Sequence, residues 1–129
     1  MMQDLLQRHF GVEYHPYYIC TLLHNKGAVS DFDQAVQIKP NYAAAYLKRG
    51  NARYRLGDQQ GGLADYSRAI SLAPDDADAY FNRGVIRAKM GEKDAALRDL
   101  RDAAKHYQAQ GDTAGYQRAT HAIQKVRGK

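Results

Sequence analysis

The residue types best suited to chemistry lie near the start of the chain, where Cys20 and His24 are four positions apart. On a helix this spacing brings two side chains to one face, so the pair could share a metal ion or act as a thiol nucleophile with its base. His9 and His15 lie nearby, but their spacing is irregular, and no CxxC or HExxH pattern occurs. A metal site needs three or four converging ligands. We therefore predict no metal, no cofactor and no enzyme activity, and interpret the pair as structural.

The composition is that of an ordinary folded domain. Of the 129 residues, 44% are hydrophobic and 26% are charged, which is enough for one modest core. The longest apolar run near the start, YYICTLL, is far shorter than the roughly 20 residues of a membrane helix. Asp4 and Glu13 argue against a signal peptide, and the single cysteine excludes an internal disulfide. We expect a cytoplasmic protein whose net charge of +5 suits mildly acidic partners.

An internal repeat with a period of 34 residues is the strongest pattern in the chain. The residue pairs that share this interval are Pro40 and Pro74, Tyr46 and Tyr80, Arg49 and Arg83, Gly50 and Gly84, Arg53 and Arg87, and Gly57 and Gly91. The register extends to a third copy through Asp31, Asp65 and Asp99, through Phe32, Tyr66 and Leu100, and through Ala35, Ala69 and Ala103. A fixed period of this size predicts stacked supersecondary units.

Each unit has the pattern of a helical hairpin. Asn41 or Asp76 is expected to cap the first helix, and Gly57 or Gly91 to end it in the left-handed conformation rather than to cradle a phosphate. Apolar residues at helical spacing follow in the second helix, and no comparable segment alternates with period two, so we expect no sheet. Close helix contact is expected at a set of small residues, which are Gly50, Gly84, Ala28, Gly62 and Ala96.

These residues resemble the tetratricopeptide repeat family. The matching residues are Tyr46, Gly50, Gly62, Tyr66, Ala69 and Pro74 in one unit, and Tyr80, Gly84, Ala96, Leu100 and Ala103 in the next. The resemblance implies an all-α fold, in which antiparallel helical hairpins stack into a right-handed superhelix. It covers about residues 28–110, with the second helix of a first repeat followed by repeats at about 43–76 and 77–110. Arg53 and Arg87 depart from the family pattern, which usually has an aromatic or apolar residue there.

The two ends of the chain differ from the repeats. Tyr116, Ala119, Ile123 and Val126 are spaced as on one helical face, so residues 111–129 are expected to form a capping helix and tail. Residues 1–27 form a divergent leader that could contain a degenerate first helix. A short helix could run from Pro16 to about residue 25, and another could include residues 2–10; a frayed leader is the alternative.

Arginine and aspartate recur in phase within the repeat. Arg53 and Arg87 are expected on or near the packing face, whereas Asp65 and Asp99 occupy one matching place on the second helices. Because partly buried guanidinium groups rarely lack a partner, we predict internal Arg–Asp ion pairs along the stack.

The resemblance also places partner binding on the concave side of the superhelix, which the first helices line. A helical wheel assigns the following residues to this face: Ala44, Leu47, Lys48, Asn51, Tyr54, Arg55, Asp78, Phe81, Asn82, Val85 and Lys89. Their amides, basic groups and apolar side chains could bind a peptide, although the face could equally be an ordinary solvated one. The family's two-carboxylate clamp is not favoured, because Leu47 replaces a basic residue.

The predicted function is that of a non-catalytic binding module, which holds a protein or peptide partner, possibly an acidic one, as an adaptor scaffold or an assembly cofactor. RNA binding through the basic excess is an alternative, but Asp75, Asp76, Asp78 and Asp94 interrupt the basic residues. Self-association through an apolar N-terminal edge is a third possibility. No membrane association is expected.

Overall fold

Six α-helices make up the described part of the chain. The structure, a computed structural model, describes residues 16–128, with side chains from residue 25 onward. The helices are α1 (Pro16–Ile38), α2 (Ala43–Arg55), α3 (Gln59–Leu72), α4 (Ala77–Lys89), α5 (Lys93–Ala109) and α6 (Thr113–Arg127). No strand occurs between residues 16 and 128, so the all-α prediction is confirmed.

Each helix packs mainly on its neighbours in sequence. Helices α2 and α3 form one hairpin and α4 and α5 form the next, while α6 packs on α5 and makes few contacts with α4. This arrangement of successive neighbours is that of a solenoid. A buried cluster that includes Ala103, Tyr107 and Ala119 joins α6 to the last hairpin.

The turns between helices use the glycines predicted from the repeat. Gly57, Gly91 and Gly111 have φ angles of +91°, +86° and +75°, in the left-handed region where a side chain is strained. After Gly57, the amide of Asp58 donates to the carbonyl of Arg53 at 2.9 Å, which closes the end of α2. The same pattern follows the other two glycines.

The helix N-termini confirm only part of the expected capping. Asp76 caps α4, since its carboxylate accepts from the amide of Ala79. The expected cap at Asn41 is wrong, because the N-cap position of α2 is Tyr42, whose side chain makes no capping hydrogen bond. Asn41 precedes that position by one residue, and Tyr42 rather than Asn41 is 34 positions before Asp76.

The start of the array lacks the turn that separates the helices of the later hairpins. The sequence allowed a short helix from Pro16 to about residue 25, with a frayed leader as the alternative, but α1 continues without a break from Pro16 to Ile38. The repeat register places Leu23 and His24 where the next hairpin has Gly57 and Asp58. Without the turn glycine and the capping aspartate, nothing ends the helix there. The predicted helix within residues 2–10 lies outside the described residues.

Close backbone packing explains the small residues in the middle of the helices. A methyl group at Gly84 would lie 3.0 Å from Cγ of the fully buried Leu100, and one at Gly50 would lie 2.9 Å from Cε1 of Tyr66. On the facing helix, a methyl group at Gly62 would approach the carbonyl oxygen of Gly50 to 3.2 Å. The first helix of a hairpin therefore lies so close to the second that Gly50 and Gly84 have no room for a side chain.

Gly84→Ala tests this packing. Alanine favours a helix by about 1 kcal/mol over glycine, but the added methyl group must displace Leu100, at a cost of about 1–3 kcal/mol. We therefore expect the variant to lose stability in urea unfolding. Ser71→Ala, at an exposed position of α3, serves as the control and should leave stability unchanged or slightly higher. A gain in stability for Gly84→Ala would contradict the close contact.

Candidate partner-binding groove

A buried carboxylate fixes the orientation of α2 in its hairpin. The Asp65 side chain is only 4% exposed and accepts from Nε and Nη2 of Arg49 at 3.0 and 2.8 Å. Nη1 of Arg53 also donates to Asp65, at 3.2 Å. The fork of Arg49 is pre-organised for a carboxylate, and the hydrogen bond to Asp65 raises the pKa of Arg49 further above its ordinary value. The Arg–Asp pairing predicted from the sequence is therefore present.

The same arrangement recurs in the next hairpin. Arg83 donates to Asp99 at 2.9 and 2.8 Å, and Arg87 adds a third hydrogen bond at 3.0 Å. The remaining nitrogen of Arg83 donates to Ser67 of the preceding hairpin at 3.1 Å, much as Arg49 contacts Asp33 of α1 at 2.7 Å. Each carboxylate thus connects the two helices of its own hairpin. Arg49 and Arg83 also contact the helix that precedes their hairpin.

The opposite side of α2 borders an open cleft. Lys48, Asn51 and Arg55, all predicted groove residues, line a cavity of about 520 Å³ together with residues of α1. We call it the α1–α2 cleft; its α1 side consists of Asn25, Gly27, Ala28, Asp31 and Phe32. The predicted residues contribute two cations and an amide here.

A second cleft lies at the other end of the stack. Val85 and Lys89, again predicted groove residues, line a cavity of about 460 Å³. We call it the α4–α6 cleft; the rest of its lining is Ala88, Gly91, Lys93, Leu100, Ala122, Lys125 and Val126. An apolar floor bordered by three lysines suits a ligand that combines an apolar group with negative charge.

Two contacts connect the clefts. Nδ2 of Asn82 donates to Oδ1 of Asn51 at 3.1 Å, and Nζ of Lys89 lies 5.5 Å from the ring centroid of Tyr54. Oδ1 of Asn51 also accepts from the hydroxyl of Tyr66, whose pKa burial raises to about 12. Within residues 25–128, Nδ2 of Asn51 and Oδ1 of Asn82 make no side-chain hydrogen bond, so the pair offers a donor group and an acceptor oxygen.

The remaining predicted groove residues have other surroundings. Asp78 accepts from the hydroxyl of Tyr107, and Phe81 lies 5.2 Å from the guanidinium carbon of Arg118. Burial, followed by the hydrogen bond to Asp78, raises the pKa of Tyr107. Asp78 and Phe81 therefore contribute to the packing of α4 on α5 and α6. Ala44 is exposed on α2 and Leu47 is half-buried, and neither lines a cleft.

The sequence prediction missed the contribution of α6. Ala122, Lys125 and Val126 face Val85 and Lys89, yet they do not follow the 34-residue register. Asp112, the N-cap of α6, lies 36 residues after Asp76, the N-cap of α4. Helix α5 has 17 residues where α3 has 14, and the connection after α5 is one residue shorter than the one after α3, so the shift is two residues. The missing proline between α5 and α6 was the available signal.

Neither a metal-binding cluster nor a membrane-spanning helix occurs among the described residues. No group of three or more histidine, cysteine, aspartate or glutamate side chains capable of holding a metal was found in the part of the chain that the structure describes. The side chains of Cys20 and His24 lie outside that part. Among residues 16–128, no helix has the length and apolar character needed to cross a bilayer.

The family assignment follows from the sequence as well as the fold. The chain matches the family described as TPR repeat over residues 25–57 and 50–91, and the one described as tetratricopeptide repeat over residues 78–109. Together these matches cover about two thirds of the chain, and the chain belongs to the tetratricopeptide repeat family. No curated protein sequence matches it significantly.

Solved structures with the same fold share little sequence with this chain. PcrH, in complex with the chaperone binding region of PopD, is 19% identical with a TM-score of 0.79, over 99% of this chain and 95% of PcrH. The TPR2B domain of yeast Sti1, in complex with pHsp70, is 20% identical with a TM-score of 0.78. The match covers 99% of this chain and 98% of the Sti1 chain. The first TPR of Spaghetti, bound to the HSP90 peptide SRMEEVD, is 18% identical with a TM-score of 0.72. The match covers 81% of this chain and 79% of the Spaghetti chain. The likeness confirms the solenoid fold predicted above.

Truncation of the buried carboxylate tests the ion-pair network. Asp99→Ala leaves two guanidinium groups without their partner, so we expect a loss of about 3–5 kcal/mol in the free energy of unfolding. Arg87→Ala removes one hydrogen bond and retains the bidentate pair, so its expected loss is about 1 kcal/mol. Urea unfolding monitored by circular dichroism measures both. Equal losses for the two variants, or an unchanged melting temperature for Arg87→Ala, would contradict the network.

Proposed function

We propose that this protein is a non-catalytic protein-interaction module of the cytoplasm, which binds an extended segment of a partner along its concave face as an adaptor or assembly cofactor. The observation that carries the proposal is the α4–α6 cleft, where an apolar floor is bordered by Lys89, Lys93 and Lys125. Such a site combines area for apolar contact with charges that select and orient a ligand.

The chemistry of the cleft suggests an acidic segment with an aliphatic or aromatic residue. Val85, Ala88 and Val126 can enclose the apolar side chain, while the lysines attract carboxylates around it. The Asn51–Asn82 pair lies between the clefts and offers a donor and an acceptor that match the N–H and C=O of a peptide group. An extended segment would therefore contact the pair as it leaves the cleft.

Structures with a similar fold support a peptide ligand. PcrH is bound to a region of PopD, the Sti1 domain is in complex with pHsp70, and the Spaghetti repeat is bound to the peptide SRMEEVD, which carries acidic residues. These likenesses concern the fold alone. The choice of an acidic segment for this chain comes from its own lysines.

RNA binding is the less favoured function. Asp75, Asp76 and Asp78 cluster at the start of α4, and Asp94 follows at the start of α5, so acidic residues interrupt the basic surface. A nucleic-acid site would need a continuous basic stripe with aromatic groups for base stacking.

A panel of fluorescent heptapeptides tests the proposal. The panel varies the number of acidic residues and the presence of one aliphatic residue, and fluorescence anisotropy measures affinity for the full chain. We expect the peptides that have both features to bind best. The double variant Lys89→Ala with Lys125→Ala should weaken that binding about tenfold, since each cation contributes up to about 1 kcal/mol.

The matched control removes two cations elsewhere. Arg101→Ala with Lys105→Ala changes exposed residues of α5 that line neither cleft, so peptide affinity should not change. Equal effects of both double variants would indicate attraction by net charge alone and would contradict a groove. Preferential binding of a single-stranded RNA, with affinity falling steeply as salt rises, would favour the alternative function.

A further inference from the structure

The α1–α2 cleft is a place that a helix should fill. The repeat register pairs Ala28 with Gly62 and Phe32 with Tyr66. In the hairpin of α2 and α3, Gly62 and Tyr66 are buried against Gly50 of α2. Ala28 and Phe32 are only half-buried and line the open cleft instead. The side of α1 that should contact the first helix of its own hairpin therefore has no such helix in contact with it among the described residues.

By the repeat register the counterpart of α2 is residues 9–21, and residues 16–21 of that segment belong to α1 itself. Residues 16–25 continue straight on from the rest of the helix, because Leu23 and His24 replace the turn residues. At 1.5 Å per residue, these ten residues span about 15 Å of helix, and Asn25 at their end is buried beside the cleft. An unbroken helix cannot fold back on its own second half, although the sequence of residues 17–23, YYICTLL, is apolar.

We propose that two copies of this chain pair through α1, each placing residues 16–25 in the α1–α2 cleft of the other. The two α1 helices would run antiparallel about a two-fold axis, so that one contact forms twice, as in an isologous dimer. Each copy would thereby receive the helix missing from its first hairpin. This contact lies at the opposite end of the stack from the α4–α6 cleft, so it does not depend on the peptide-binding proposal.

The position of Gly27 fits this axis. It is the central residue of Pro16–Ile38, with eleven residues on either side. A methyl group built at Gly27 would have no atom within 4 Å, so the backbone is open to a neighbour there. Helices that cross at a glycine can approach closely, as the Gly50 and Gly62 contact within the second hairpin shows.

The far end of α1 shows a second feature that fits the pairing. Ile38 is 85% exposed and Tyr42 is 44% exposed, and they are the large hydrophobic residues exposed in the described part of the chain. In an antiparallel pair centred on residue 27, position 38 of one copy lies opposite position 16 of the other. The apolar segment that starts at residue 17 would thus cover Ile38, and removing this side chain from water would favour the pairing.

Sedimentation and mass measurements on the full chain test the pairing. Over a range of roughly 1–100 µM, the expected species is a dimer of about 29 kDa, twice the chain mass of 14.5 kDa. Phe32→Glu places a charge in the cleft and should raise the dissociation constant at least tenfold. Its circular dichroism spectrum shows whether the fold persists. Arg101→Ala, on an exposed site of α5, is the control and should leave the dimer unchanged.

A second variant keeps the test decisive if Phe32→Glu fails to fold. Leu23→Gly with His24→Asp restores the turn residues of the later hairpins, so residues 16–22 could fold back within one chain. We expect a monomer of nearly unchanged helix content. A variant that remains as dimeric as the wild type would overturn the exchange of helices.

A distance measurement checks the geometry of the dimer. In a Cys20→Ser, Gln37→Cys variant, a spin label occupies one exposed position on α1, ten residues from Gly27. With a rise of 1.5 Å per residue and helix axes 8–10 Å apart, the two labelled positions should lie about 31 Å apart. A wild-type chain that stays monomeric at all concentrations, including one whose residues 1–15 cover the cleft, would overturn the proposal. A dimer with a clearly different distance would also overturn it.

Discussion

The buried aspartate of each hairpin is the interaction on which the rest of the structure depends. Asp65 and Asp99 lie on second helices, and each is held by a bidentate arginine from the first helix with another arginine one turn later. A carboxylate that is 4% exposed is costly unless it is fully paired. The pairing therefore fixes the rotation of α2 and α4 about their axes. It also explains how the chain has arginines where its family usually has apolar residues.

The fixed rotation determines which residues of α2 and α4 border the two clefts. With Arg49 and Arg53 directed at Asp65, the stripe of Lys48, Asn51 and Arg55 borders the α1–α2 cleft. The next first helix is held in the same way, and Val85 and Lys89 border the α4–α6 cleft. The glycine contacts within the hairpins bring the helices close enough for these ion pairs to form. Stability and the candidate binding surface thus depend on opposite sides of the same helices.

Much of this fold could be predicted because residues 34 positions apart make the same contacts in successive hairpins. The turn glycines, the Arg–Asp pairs and the close contacts at Gly50, Gly62 and Gly84 were identified from the sequence. The contact predicted at Ala28 is wrong, because this residue lines the open α1–α2 cleft. The errors occur where the period fails: Leu23 and His24 remove the first turn, and the longer α5 shifts α6 by two residues. The pairing of Asn51 with Asn82 depends on side-chain geometry between helices, which a helical wheel cannot show.

Hydrogen exchange at the arginine side chains tests the central claim most directly. In a ¹⁵N NMR spectrum, the Nε–H groups of Arg49 and Arg83 donate to buried carboxylates at 3.0 and 2.9 Å and should exchange slowly with water. The exposed Arg98 and Arg101 provide the reference for fast exchange. Slow exchange confined to the paired arginines is the predicted result. Equally fast exchange at all four would contradict a stack held by buried aspartates.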